Sequence, residues 1–189
     1  MPMPAPPENL ARLSLAEIAA LVEARKLPPV DSWNPTHCGD SEMRIAADGT
    51  WFHQGSPIGR APMVRLFSTI LRREDDGGYV LVTPGEKLDI AVDDAPFVAL
   101  ELKSEGAGGG RRLAFRLNTG DMVVAGAANP LRFDPRKNGP HPYLLVRKGL
   151  EALVSRAVYY ELVNIALDEG SDPPGLWSEG AFFAMEPAR

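Results

Sequence analysis

The chain predicts an α+β protein made of two related antiparallel-sheet-plus-helix modules, and three observations carry that expectation. From Tyr79 to Gly170 the sequence reads as about seven short runs of strand length and β-favouring content, broken by turn residues, then one long amphipathic stretch. The segment from Met43 to Asp76 repeats the plan in small, a hairpin signal followed by a helical one. Composition is globular: 44% hydrophobic and 24% charged residues, with 18 glycines and 18 prolines in 189 residues, suit many turns around a substantial core and exclude a fibrous or disordered chain. The expected partition is an arm, short helix and loop over residues 1–40, a first module over 41–78, a second over 79–170, and a tail over 171–189 that packs on the body.

Each element has its own local reason. Met1 to Pro7 is a proline-rich arm, expected to be mobile, with neither the basic residues nor the apolar run of a targeting peptide. Ser14 and Glu17 have capping-box spacing and start a helix from Leu15 to about Ala24, which Pro28-Pro29 follows. Val30 to Asp40 is rich in turn formers and is expected to be an ordered surface loop pinned by Trp33. Met43–Ile45 and Thr50–His53 flank Asp48-Gly49, whose tolerance of positive φ signals a strand reversal. Pro62 suits the first turn of a helix, and Met63, Leu66, Phe67, Ile70 and Leu71 recur at helical spacing until Asp76-Gly77-Gly78. Seven strands are then expected, at 79–83, 87–92, 97–102, 113–117, 122–125, 131–133 and 143–146. Gly149 is read as releasing a helix to about Asp168, with Leu150, Leu153, Val158 and Leu162 on its inner stripe and Gly170 as its stop.

Charge is distributed unevenly. The formal net charge is −5, yet between Lys103 and Leu150 nine basic residues face three acidic ones. Such a segment inside an acidic chain is the footprint of an anionic ligand or partner, or of cations matched to acids elsewhere in the fold. Overall acidity and the lack of interleaved aromatics argue against a nucleic-acid strand. A single cysteine, Cys38, rules out an internal disulfide and suits a reducing, cytoplasmic setting, and no apolar run approaches the ~18 residues of a membrane span.

Several quoted stretches resemble one family. Gly49-Thr-Trp51-Phe-His-Gln-Gly55-Ser-Pro57-Ile58-Gly-Arg60, Gly78-Tyr79-Val-Leu-Val-Thr83-Pro84, Asp93-Asp94-Ala95-Pro96-Phe97, Asn118-Thr-Gly120-Asp121, His141-Pro142-Tyr143 and Val146-Arg147-Lys-Gly149-Leu150 are similar to the bacterial family catalogued as domain of unknown function 1285, over about Pro28 to Glu169. The resemblance implies a duplicated module whose C-terminal copy is pleckstrin-homology-like, a nucleotide-like ligand at the module interface and a signalling role. It implies no catalytic activity and no cofactor.

The candidate sites follow from chemistry. Lys87, Arg147 and Arg156 are expected to converge on phosphate oxygens at the module junction, arginine offering a planar fork and lysine a point charge. Arg60 joins this set, and Tyr143 or Trp51 is expected to stack a base. The competing reading pairs Arg147 and Arg156 with Glu86, Asp93 or Glu161 in a structural network. Gly106–Gly110 lacks the ending of a phosphate-binding loop and is expected to be a hairpin tip. His37, Cys38 and Asp40 lack the second ligand pair of a zinc site, so no metal is expected. Glu86, Asp89, Asp93 and Asp94 would suit a metal-dependent hydrolase, although Asp94-Ala95-Pro96 reads more simply as a turn. The expected function is therefore a non-enzymatic signalling module holding a small anionic ligand, with a protein-interaction scaffold or that hydrolase as alternatives.

Overall fold

The computed structural model describes residues 10–36, 38–136 and 139–186. The proline-rich arm, His37 of the suggested metal set and Lys137 of the basic segment lie outside those residues. Helix α1 spans Leu15–Ala24 and opens with the expected capping box: Ser14 Oγ accepts from the Glu17 N–H, and Glu17 accepts from the Ser14 N–H at 2.7 Å. A loop through Val30–Ser32 leads into the first sheet.

That sheet contains β1 (Cys38–Ile45), β2 (Trp51–His53), β3 (Ser56–Pro57), β4 (Leu71–Arg73), β5 (Tyr79–Val82) and β6 (Lys87–Val92), in the order β3-β2-β1-β6-β5-β4. Gly49 takes φ +88° in the β1–β2 turn, as its Asp-Gly pair predicts. Helix α2 (Ala61–Thr69), with Pro62 in its first turn, lies between β3 and β4 in the chain. It ends sooner than expected. Leu71 fits the helical spacing, yet Leu71–Arg73 pairs with Tyr79–Leu81 as a strand, because a fully buried edge position rewards Leu71 more than another helical turn would.

The second sheet contains β7 (Phe97–Glu105), β8 (Arg112–Leu117), β9 (Met122–Val124), β10 (Leu131–Arg136), β11 (Gly139–Arg147) and β12 (Leu150–Val154), ordered β10-β11-β12-β7-β8-β9. It curls as a half-barrel, and α3 (Arg156–Glu169) lies against it with Val158, Leu162 and Ala166 in the core. Three expectations are corrected. The strands at 79–82 and 87–92 belong to the first sheet, so the module boundary falls in the Asp93–Pro96 linker rather than after Gly78. The second sheet has six strands, not seven. Leu150–Val154 is a strand and not the start of the helix: Leu150, Ala152 and Val154 alternate into the core, and Ser155 caps α3 by accepting from the Val158 N–H. Gly170 stops α3 in the left-handed region, as read.

Both sheets have one topology. Two three-strand meanders are joined at the centre by a parallel pair of the first and last strands, β1 with β6 and β7 with β12. They differ in the helix, which follows the third strand in the first module and the sixth in the second. One continuous core runs between them, from Ile45, Trp51 and Leu81 to Phe97, Phe115 and Leu144. The tail packs back as expected, as a hairpin of β13 (Gly175–Ser178) and β14 (Ala181–Ala184) that buries Leu176 and Phe183. Helix α1 does not sit on the module that follows it. Leu10, Leu15 and Ile18 pack on Ala114, Met122 and Val124 of the second sheet, and Arg25 pairs with Asp121.

Candidate functional site

Two sets of side chains line the seam between the modules, and one of them opens on a cavity. At the end of β11, Arg147 projects across the seam. Its Nη2 donates to the Ser68 carbonyl at the end of α2, and its guanidinium carbon lies 5.3 Å from the centre of the Phe97 ring. Nη1 is buried without a hydrogen-bond partner, and no carboxylate pairs with this arginine among the described residues. Burial, with a smaller contribution from nearby Arg25 and partly offset by the Asp121 carboxylate, pulls its pKa down from the ordinary arginine value to about 10. Among the described residues Arg147 forms no ion pair with Glu86, Asp93 or Glu161, the competing reading, and neither Lys87 nor Arg156 lines the cavity that Arg147 lines.

Arg147 lines a cavity of about 380 Å³ together with Thr69, Leu71, Arg72, Lys148 and Leu150. Leu27–Ser32 forms the opposite wall, where Pro28-Pro29, after the end of α1, keeps the chain from resuming a helix. Arg72 fastens this strap, donating through Nη1 to the carbonyls of Val30 and Trp33, each at 2.8 Å, while Glu74 takes its other side at 2.6–2.7 Å. Lys148 lies 3.5 Å from Asp31 at the exposed mouth. The cavity thus combines apolar walls at Leu27, Pro28, Leu71 and Leu150 with a cationic end.

The second set is closed. The Tyr143 hydroxyl donates to Asp94 at 2.6 Å and accepts from Arg136 at 2.6 Å, while the Arg132 guanidinium lies 4.4 Å from the ring centre. Burial and the Asp94 hydrogen bond push the Tyr143 pKa well above the ordinary tyrosine value. Arg132 holds Glu151 through two hydrogen bonds, of 2.7 and 2.8 Å.

Of the six residues read from the sequence, only Arg147 lines the seam cavity. Tyr143 is 2% exposed and its faces are taken by arginines; Trp51 is 1% exposed and stacks on Phe67 at 6.4 Å in the core. Neither offers a ring face to a base. Lys87 pairs with Glu74 at 3.7 Å, Arg60 is the exposed N-cap of α2, and Arg156 is the exposed first residue of α3. Arg72 was passed over because its segment reads as helix, whereas Lys148 stood in the basic set beside Arg147; the Pro28-Pro29 break was the signal for the strap.

The other candidates have structural duties. Asp93 pairs with Arg44, and Asp94 is taken by Tyr143 and Arg136. Among the described residues no three or more His, Cys, Asp and Glu side chains gather where a metal could be held. The Gly106–Gly110 tip is tied down rather than loose: Glu169 accepts from the Gly108 N–H and from Arg111, each at 2.8 Å.

Two topologically equivalent sheets sharing one core, with a cation-ended cavity at their seam, define a two-domain α+β protein with a candidate anion site. The model of the N-terminal domain of DUF1285, a domain of unknown function, matches residues 28–95, and that of the C-terminal domain matches residues 96–185. The chain belongs to the DUF1285 family. The division between the matches falls in the linker that separates the two sheets, and α1 lies ahead of both.

A crystal structure of a DUF1285 family protein from Silicibacter pomeroyi DSS-3 is similar at 49% identity and a TM-score of 0.78, over 90% of this chain and 92% of that one. Another, from Shewanella baltica OS155, is similar at 27% identity and a TM-score of 0.52, over 65% of this chain and 91% of that one. No match was found among curated proteins.

Proposed function

We propose that the protein is a non-enzymatic signalling module that holds a small anionic ligand, phosphorylated or nucleotide-like, in the seam cavity, with Arg147 as the anchor. The supporting observation is the unsatisfied Nη1 of a buried arginine that lacks a carboxylate partner and faces a cavity of about 380 Å³. A phosphate oxygen met by a turn of the guanidinium toward the cavity would supply the missing acceptor and a directly paired negative charge. Lys148 would add a second cation by exchanging Asp31 for the ligand, and Leu27, Pro28, Leu71 and Leu150 would hold a flat or apolar body. The cytoplasm is the compartment in which such ligands and the lone thiol of Cys38 belong. Among the described residues, no helix is long and apolar enough to cross a membrane.

Titration calorimetry with pyrophosphate and with adenosine diphosphate tests this reading. Saturable binding that weakens with salt, is lost in Arg147→Met and persists in Arg156→Ala is expected. Absence of binding to both anions, or binding retained in folded Arg147→Met, overturns it. A protein partner is the second reading, favoured by Tyr160 and Leu167, which are 59% and 69% exposed on α3.

A further inference from the structure

We propose that the cavity between α2 and the facing side of the first sheet is a second ligand site, and that it takes an apolar molecule carrying an amine head. Its volume is about 470 Å³, and its walls include Met43, Ile58, Met63, Phe67, Leu81 and Leu88. This volume lies in the range of pockets that enclose small ligands, and no residue lining it also lines the seam cavity.

The polar groups at its mouth decide the head group. Ser41, His53, Thr83 and Glu86 also line the cavity. The Ser41 hydroxyl is spent on the Asp89 carbonyl at 2.7 Å, and the Thr83 hydroxyl on the backbone of Glu86. The Glu86 carboxylate and the His53 imidazole have no side-chain hydrogen bond or ion pair among the described residues, and both residues are exposed. A carboxylate at the rim of an apolar pocket attracts an ammonium group and repels a fatty carboxylate. Leu66, 60% exposed beside Met63 on α2, extends the apolar surface at the helix.

Titration calorimetry of the full chain with n-octylamine and with octanoate, both below micelle-forming concentrations, tests the site. Octylamine is expected to bind saturably and octanoate more weakly. Glu86→Gln should weaken octylamine by about tenfold, the scale of one charge-assisted hydrogen bond. Leu88→Trp should fill the cavity and abolish binding while keeping a cooperative melt; if that variant does not fold, Met63→Trp, on the helix side, replaces it. No saturable octylamine binding, equal binding of octanoate, unchanged affinity in Glu86→Gln, or retained binding in the folded tryptophan variant would each overturn the proposal.

Discussion

At the level of single residues, Arg147 and Asn118 show opposite ways of crossing the seam. A guanidinium drawn out of water with one nitrogen unbonded weakens the apo fold, and the lowering of its pKa to about 10 expresses that penalty. Because the unfolded chain holds this proton more tightly, the penalty is fully present below pH 10 and is relieved as pH rises from there towards the ordinary arginine value. Urea denaturation should therefore show a stability difference between the wild type and Arg147→Met that is flat from about pH 6 to 9, with the wild type gaining above about pH 10. A slope at neutral pH would implicate another group. Asn118 is fully used: its Oδ1 accepts from the Val98 N–H at 3.0 Å and its Nδ2 donates to the Gly49 carbonyl at 3.2 Å. Asn118→Ala strands the Val98 N–H and should cost about 1–3 kcal/mol in the same assay. Gly49→Ala should also destabilise, since φ is +88° and a Cβ would sit 2.6 Å from Asn118 Nδ2. Arg147 was legible as a candidate because it ends a strand within a basic segment. Trp51 and Tyr143 were misread because an aromatic residue that stacks a ligand and one that fills a core have the same spelling, and only long-range packing separates them.

Among the elements, those with local signals were read correctly. The α1 capping box, the Asp-Gly hairpin and the Gly170 stop each depend on a few consecutive residues. The Ser14 hydrogen bonds hold the Glu17 carboxyl below the ordinary glutamate range, so the contribution of the box is present above that range and is lost as pH falls through the folded value. Ser14→Ala should cost about 1 kcal/mol, read as faster amide exchange in 15–24, with exchange in the β7–β12 core unchanged. β4 and β12 were misread as helix because Leu71 and Leu150–Val154 also satisfy helical spacing; β5 and β11 are their hairpin neighbours, and only β7, the parallel partner of β12, lies far away in the chain. Reading β12 as helix places Arg156 a turn too deep, whereas it is the first residue of α3.

For the whole molecule, the shared core argues that the two family domains are not independent folding units. Ile45, Trp51 and Leu81 belong to the same cluster as Phe97, Phe115 and Leu144, so dividing the chain near residue 95 exposes the middle of that cluster. Calorimetry should show one transition with agreeing calorimetric and van't Hoff enthalpies, and a 96–186 fragment should lose cooperative melting. The duplication was legible in outline because both halves spell sheet and helix. The seam was not, since the strap, Arg72 and Arg147 are brought together by residues distant in sequence. The parallel pairing at the heart of each sheet also orders the events of biogenesis. Cys38 waits for Lys87 and Phe97 waits for Ala152, so no half can zip shut on the ribosome until its final strand has emerged. A nascent chain stalled within β11 would thus present an open β7 edge, the stretch most exposed to pairing with another chain.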